Sequence, residues 1–393
     1  MRRGPVVLTM GSVTLAGVAE AIAPTPGIAT PSITSPTEGA TDVSAGLTVT
    51  ASVFTVTNGG SDTHASSDWQ ISDDSGFSNI VEESLADATN KTSYAASGLS
   101  ALTEYWVRVR YNGTTYGASG WSTAVSFTTA AAPAYDADAQ AFFDAMGTAP
   151  NDAVKTAVDT LITNLKSDGI WAKLDALWPL NMPTLADSLL NMKDPTGTAA
   201  TAVNSPTHTP YVGIAGDGST SYINTNFAPS TNGVNYTQND ASMGVWVYNG
   251  TDTANAFKVN MGTTSNPFER CALINAWAAT NQMRIGLNNS GQVYTNTHAL
   301  TTRLGLTSLD RSLSTEIKTY RDGVLYDTLT NSSNGLPSVS LFIGGVNASG
   351  SLSSSVNNGH ACAYVGASLG STKQAALYSR LSTFRTAMAA AAP

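Results

Sequence analysis

The chain has 393 residues, only 12% of which are charged, and a formal net charge of −9. This length allows two or three domains and a sizeable core. The acidic balance argues against a nucleic-acid partner, because proteins that follow a phosphate backbone need clustered Lys and Arg. The 34 glycines and the low charge instead favour short strands joined by many turns.

Residues 1–28 are predicted to form an N-terminal arm and linker. The start of the chain is similar to a signal peptide, with two Arg residues before a weakly apolar stretch. We expect a retained arm or strand, because polar and glycine residues interrupt that stretch: Thr9, Gly11, Ser12 and Thr14. No run reaches the roughly 18 apolar residues of a membrane span, so we expect no membrane insertion.

Residues 29–129 have the period-two pattern of half-buried strands. Leu47, Val49 and Ala51 alternate with polar residues, and the stretch from Tyr105 to Tyr111 does the same. Asn-Gly and Asp-rich turns separate the runs, and about seven strands fit into this length. The pattern predicts a β-sandwich.

The segment from Leu99 to Val109 resembles the corner between strands E and F of a fibronectin type III domain. Tyr105 occupies the tyrosine-corner position, and the ending around Trp121 and Phe127 is also common in such modules. The resemblance covers residues 29–129 and implies a spacer module. A small-residue linker, 130–135, follows it.

Residues 136–195 are predicted to be a helical segment that packs on the following domain. An apolar stripe at helical spacing predicts a helix that begins at Asp152 and ends at Asp168-Gly169. A second short helix is expected from Trp171 to Trp178, and a third from Leu185 to Met192.

Residues 196–393 are predicted to be strands separated by Gly, Asn and Ser turns, followed by a final helix capped by Ser371 or Thr372. They resemble the concanavalin A-like lectin/glucanase superfamily as it occurs in phage structural proteins. The motifs that carry this resemblance are Ala202–Pro206, Gly216–Tyr222, Val245–Val247, Tyr320–Gly323 and Ala363–Leu369. The fold class is therefore predicted to be mainly β, with two antiparallel β-sandwiches, fibronectin type III-like and then a concanavalin A-like jelly roll, and a short helical segment between them.

The superfamily contains glycosidases, which need two paired carboxyl groups. Between residues 136 and 393 the only glutamates are Glu269 and Glu316, far apart in sequence, so we expect no enzyme and no catalytic residue, although an Asp pair stays open. The four histidines have no metal-ligand spacing, and Asp217 and Asp322 lie in ordinary turn sequences, so neither a metal nor a cofactor is expected.

Cys271 and Cys362 could pair, but buried free thiols are the preferred interpretation.

A sugar site needs an aromatic ring with amide or charged groups around it. Two loop-rich stretches meet this requirement, and the candidate carbohydrate-binding residues are Asn235, Tyr236, Trp277, Asn281 and Arg284. The alternatives are that Tyr236 packs as a lid and that Trp277 belongs to the core. Trp246 faces away from the valines of its strand, and we expect the helices of residues 152–192 to cover it rather than a ligand.

These features together predict a non-enzymatic protein of a phage virion or tail, an adhesin that contacts host-surface glycans. The N-terminal arm would bind other virion proteins, and a homo-oligomer is expected. The alternatives are a purely structural decoration or fibre component that makes protein–protein contacts, an extracellular glycosidase and, for the location, a secreted extracellular protein.

Overall fold

A computed structural model describes residues 24–250, 258–266, 269–274, 283–290, 293–294 and 304–393, with 266, 269–274 and 293–294 as backbone only. Most of the predicted N-terminal arm lies outside these residues. The chain divides into two compact units, Met1–Ala134 and Tyr135–Pro393.

The first unit is built from strands alone in its described part. They are β1 (Ile33–Ser35), β2 (Ala40–Val43), β3 (Thr48–Ala51), β4 (His64–Ser72), β5 (Ile80–Asp87), β6 (Ser93–Ala95), β7 (Glu104–Gly113), β8 (Gly117–Ala118) and β9 (Val125–Thr129). A three-stranded sheet has the order β1-β3-β6, and a six-stranded sheet has the order β2-β9-β7-β4-β5, with β8 beside β7.

The core of the first unit lies between its two sheets. Val49 on β3 meets Trp69 on β4 and Val107 on β7, and all three side chains are fully buried. Their positions follow the period-two pattern of the sequence, because alternate residues of a strand point to the same face. The hydroxyl of Tyr105 accepts a hydrogen bond from the Ser100 amide at 2.9 Å, which is the expected tyrosine corner.

The second unit begins with helices and continues mainly as strands. The helices are α1 (Ala137–Ala145), α2 (Asp152–Ser167), α3 (Leu185–Ser188), α4 (Pro229–Asn232) and α5 (Gly370–Ala390), with a 3-10 turn at Trp171–Lys173. The strands are β10 (Leu174–Trp178), β11 (Thr201–Val203), β12 (Thr207–Thr209), β13 (Gly213–Ala215), β14 (Tyr222–Asn224), β15 (Ala241–Asn249), β16 (Val259–Asn266), β17 (Glu269–Ile274), β18 (Arg284–Asn289), β19 (Val293–Tyr294), β20 (Gly305–Leu313), β21 (Glu316–Arg321), β22 (Val324–Thr330), β23 (Phe342–Ile343), β24 (Val346–Ala348), β25 (Ser351–Ser353) and β26 (Gly359–Gly366).

Two sheets form the sandwich of the second unit. One has the order β12-β13-β26-β15-β20-β21-β22, with β10 also paired to β26, and the other has the order β11-β14-β23-β16-β17-β18-β19, with β24 and β25 beside β16. Met243 and Val245 from the first sheet pack with Ile285 and Ile343 from the second, and all are buried. The mainly β fold predicted from the sequence is confirmed.

The helices cover the other face of the β15-containing sheet. Trp246 and Tyr364 from this face share one core with the apolar stripes of α2 and α5. Trp246 is buried, as predicted, but the ring that stacks on it is Tyr378 of α5, with centroids 5.3 Å apart. The C-terminal helix therefore supplies a contact that was expected from residues 152–192.

Several predicted details are wrong. Residues Leu174–Trp178 form strand β10, which pairs with β26, rather than a helix. The α2 cap is Asn151, whose side chain accepts from Val154 N at 2.9 Å, and not Asp152. The third helix is only four residues long. Neither unit is wholly antiparallel, because β2 pairs parallel with β9 and β16 pairs parallel with β24.

Candidate ligand-binding cleft

A polar cleft of about 350 Å³ opens at the end of β10 in the second unit. This volume lies at the lower end of the range for small-molecule sites. Five of its lining residues carry carboxylate or amide groups, and three are apolar or aromatic. The carboxylate and amide residues are Asp175, Asn191, Asp194, Asn226 and Asn232, the apolar or aromatic residues are Trp178, Phe227 and Val234, and Thr198 and Thr225 complete the lining.

Trp178 combines burial with an unused donor. Its side chain is 1% exposed and packs edge-on against Phe227, with ring centroids 6.4 Å apart. The indole Nε1 has no hydrogen-bond partner. Since a buried polar group without a partner costs free energy, the indole N–H of this cleft-lining residue favours a bound polar group that can accept from it.

Asp175 shapes one wall of the cleft. Its carboxylate accepts the backbone N–H groups of Val234, Asn235 and Tyr236 at 2.8–3.2 Å. Three donors from consecutive residues fix the loop at 232–236 against β10. Asp175 therefore has a structural role and holds the loop that carries Asn232 and Val234.

Asp194 has a different environment from Asp175. It is exposed, and within the described part of the chain its side chain has no hydrogen bond or ion pair. A Cβ at Gly197 would lie 2.1 Å from its Oδ2, so a larger residue there would require this exposed carboxylate to move. Asp194 is thus a carboxylate that can accept hydrogen bonds from a ligand's hydroxyl groups.

The amide side chains of the cleft are mostly engaged. Asn191 accepts from Leu177 N and Lys193 N, both at 3.0 Å, and Asn226 donates to Ala199 O at 2.8 Å. Asn232 accepts from Ala228 N through its Oδ1 at 2.7 Å, which leaves its NH2 group for other partners. These hydrogen bonds hold the amide side chains in place, which lowers the entropy cost of binding a ligand.

The structure separates the five residues predicted to bind sugar. Asn235 lies beside the cleft, but its side chain donates to Leu174 O at 3.3 Å. Tyr236 is in the core, where its hydroxyl donates to Asn288 Oδ1 at 2.9 Å, so its ring offers no face to a sugar. Arg284 lies on β18 of the other sheet. Trp277 and Asn281 lie outside the described residues.

The remaining candidate groups lie in ordinary surroundings. Glu316 forms an ion pair with Lys318 at 3.0 Å, and the side chain of Glu269 is not described. Asp217 accepts from Ser219 N, Thr220 N and Ser221 N, which closes its turn. No group of three or more His, Cys, Asp or Glu side chains with metal-ligand geometry occurs among residues whose positions are described.

Cys362 is a buried free thiol, and burial raises its pKa to about 12. This agrees with the preferred interpretation for Cys362, whereas the side chain of Cys271 lies outside the description. Among the described helices, none combines the length and apolar character needed to span a bilayer.

No known family model matches the chain, and no curated protein matches it in sequence. Solved structures with partial likeness were found. Domain 4 of AbnA, an extracellular arabinanase from Geobacillus stearothermophilus solved with arabinotriose, is 15% identical, with 52% of this chain and 98% of that chain covered and a TM-score of 0.38.

A mutant Trypanosoma rangeli sialidase with trans-sialidase activity is 11% identical, with 72% of this chain and 43% of that chain covered and a TM-score of 0.42. The sixth fibronectin type III domain of a human protein that contains such domains is 20% identical. The match covers 28% of this chain and 88% of that chain, with a TM-score of 0.20. At these identities and TM-scores the similarities carry no argument about ligand or activity.

Proposed function

We propose that the second unit is a non-enzymatic carbohydrate-binding module and that the polar cleft at the end of β10 is its binding site. The observation that carries the proposal is the buried indole N–H of Trp178, which lacks a partner and belongs to a residue that lines the cleft. Sugars present many hydroxyl groups, each of which both accepts and donates. A hydroxyl can therefore accept from Trp178 while its neighbours donate to Asp194.

The rest of the lining suits a neutral sugar. The exposed Val234 and the side chain of Phe227 supply apolar surface for the C–H groups of a pyranose ring, and Asn232 supplies amide hydrogens. The cleft contains two carboxylates and no lysine or arginine among its described lining residues. An acidic ligand would therefore be repelled here, whereas a neutral glycan would not.

A binding role is favoured over catalysis by the state of Asp175. Glycoside hydrolysis needs two carboxyl groups that are available to the substrate. Asp175 is committed to three backbone donors of the 232–236 loop, which leaves Asp194 as the available carboxylate. With only one of the two carboxyl groups available to a substrate, a non-enzymatic role is favoured.

The biological setting we propose is a phage virion or tail, with the second unit as the adhesin and the first unit as a spacer. Low charge and abundant turns support a location outside the cell. In this setting the N-terminal arm binds other virion proteins, and the chain forms a homo-oligomer. Immunogold labelling of intact particles with an antibody to the second unit tests the location, and unlabelled particles would leave a secreted protein as the alternative.

The binding proposal is tested with the full chain on an array of neutral oligosaccharides, followed by calorimetric titration of the glycans that bind. We expect W178F to lower affinity by about tenfold, because it removes one buried donor and leaves a smaller aromatic ring in place. The matched control is W171F, since Trp171 donates to Asp138 at 2.8 Å elsewhere in the unit. D194N should also weaken binding, and D144N on α1 should not.

Equal affinity of W178F and wild type would contradict the assignment of this cleft. If no glycan binds the wild-type chain, the carbohydrate proposal fails as a whole and the structural decoration component becomes the better description.

A glycosidase is the second candidate, because Asp175 and Asp194 line a single cleft, but it requires Asp175 to release the backbone donors of the 232–236 loop. It predicts that the wild-type chain releases reducing ends from a bound polysaccharide and that D194N does not. Binding without any release of reducing ends would exclude hydrolysis of that polysaccharide.

A further inference from the structure

A second cleft, of about 320 Å³, lies where α5 crosses the outer face of the β15-containing sheet. Trp246 and Tyr248 of β15 form one side, Asp322 in the turn before β22 forms another, and Tyr378 and Arg385 of α5 form the third. Tyr378 and Arg385 are seven residues apart, so they lie on the same face of the helix. None of these residues lines the cleft at β10.

Arg385 is a half-buried charge that has no counter-ion among the residues that the structure describes. Its guanidinium lies 4.4 Å from the centre of the Trp246 ring, and no carboxylate within the described part of the chain forms an ion pair with it. Arg380 on the same helix contrasts with it, because its guanidinium pairs with Asp168 at 2.9 Å. In a chain with a net charge of −9, an unpaired and partly desolvated Arg is unexpected.

The partly buried surroundings of Arg385 increase the free-energy cost of a guanidinium charge without a partner. Burial lowers the pKa of its guanidinium, which records the loss of hydration of the charged form. The face of Trp246 compensates for part of that loss through a cation–π contact. The planar fork of N–H donors at the edge of the guanidinium is left for an acceptor, and carboxylates match that fork with two parallel hydrogen bonds.

The other side of the cleft has acceptor character. Asp322 accepts from Leu306 N at 2.8 Å through Oδ1, and its charge lies near Arg321, whose pKa burial lowers and Asp322 partly restores. Its second oxygen can accept from a hydroxyl group. Tyr248 and Tyr378 line the same cleft as Asp322 and Arg385. The cleft thus pairs one cationic side with one that accepts hydroxyl hydrogens.

We propose that this second cleft binds a sugar acid, with the carboxylate of a hexuronate on Arg385 and its ring hydroxyls toward Asp322. Arg385 and Asp322 together favour a sugar acid over a neutral sugar and over an inorganic anion. A neutral sugar leaves Arg385 unpaired, and a compact inorganic anion leaves Asp322 without a donor. The site is independent of the cleft at β10, because its lining residues are different and its ligand is acidic rather than neutral.

The test is a titration of the full chain with methyl β-D-glucuronide and, as the matched ligand, methyl β-D-glucoside. We expect the glucuronide to bind at least tenfold more tightly than the glucoside. R385Q should lower its affinity by about tenfold or more, which is the expected loss for a charge-assisted pair. R380Q, which removes the same charge from the same helix outside the cleft, should change the affinity less than about twofold.

Equal binding of the glucuronide to wild type and R385Q overturns the proposal, and so does equal binding of glucoside and glucuronide. Sodium sulfate that binds as tightly as the glucuronide would show a general anion site and also contradict it. If R385Q does not fold, the proposal is tested by NMR spectroscopy of the wild-type chain. The Nε–Hε resonance of Arg385 must shift with the glucuronide and not with the glucoside, and an unchanged resonance overturns the proposal.

Discussion

Tyr105 shows how one hydroxyl stabilises a corner of the first unit. It is buried, and its hydroxyl accepts from Ser100 N at 2.9 Å. We expect Y105F to lower the free energy of unfolding of this unit by about 1 kcal/mol, because the amide loses its partner while the ring remains packed. Urea denaturation measures the change. Y116F is the control, since Tyr116 is exposed, and an effect as large as that of Y105F would contradict this role.

The residues that could be predicted from the sequence are those whose role depends on near neighbours. Tyr105 is such a case, because its partner is only five residues away. Tyr236 is the opposite case. It lies in a polar, loop-like sequence, yet Phe227 and the distant Asn288 enclose it in the core. Its burial depends on contacts across the sandwich that local pattern does not contain.

The cleft likewise depends on contacts that the local sequence pattern does not contain. Trp178 was predicted as the end of a helix, and nothing in its sequence context shows that its indole N–H has no partner. Asp175 and Asp194 are nineteen residues apart along the chain, and only the path of β10 and the following loop brings them to one cleft. The nearby loop at 232–236 was the part of the site that turn-rich sequence could indicate.

At the scale of elements, β10 is a strand whose sequence spacing fits a helix equally well. Leu174, Leu177 and Trp178 have a spacing that fits a helix. In the structure Ala176 and Trp178 enter the core between the sheets, and Leu174 and Leu177 enter the core under the helices. A strand buried on both faces loses the alternation that identifies strands, and its partner β26 lies far along the chain.

The start of α5 is stabilised by a residue from another element. The helix has no side-chain cap of its own, and Asp310 on β20 accepts from Leu369 N at 2.7 Å, Gly370 N at 3.2 Å and the Ser368 hydroxyl at 2.6 Å. A carboxylate in this position satisfies free amide groups and interacts favourably with the helix dipole. Asp310 thereby fixes α5 to the sheet.

We expect D310N to lower the free energy of unfolding of the second unit by roughly 1–3 kcal/mol, because Asn lacks the charge and one acceptor. Thermal denaturation followed by circular dichroism measures the loss. D144N on α1 removes an exposed carboxylate and should leave the midpoint unchanged. A D310N midpoint equal to that of wild type would mean that the apolar face of α5, with Leu381 and Phe384, is sufficient to hold the helix.

At the scale of the whole molecule, the second unit has two cores on the two faces of one sheet. β26 runs through the middle of that sheet between β13 and β15, and every residue of the strand is buried. A charged group on β26 would therefore have no access to water from either face. His360 is the side chain on β26 that would gain a charge as the pH falls below neutral.

His360 makes the stability of the second unit depend on pH. Burial lowers its pKa to about 4, and its Nε2 lies 3.1 Å from Asn260 Oδ1. The ordinary value is about 6.5 in an unfolded chain. Between these two values the unfolded state binds a proton that the folded state does not. The contribution is therefore complete above pH 6.5 and is lost progressively as the pH falls toward 4.

We expect the free energy of unfolding to be about 2 kcal/mol lower at pH 5 than at pH 7.5 from His360 alone, which is 1.36 kcal/mol for each of the pH units below 6.5. Burial also lowers the pKa of His208, so the observed loss should be larger rather than smaller. Hydrogen exchange of β26 amides, which open only when the unit unfolds, measures the change without interference from the first unit. H360Q should reduce the pH dependence, whereas H64Q in the first unit should leave it unchanged. An equally steep dependence in H360Q would show that carboxylates and His208, rather than His360, control unfolding in this range.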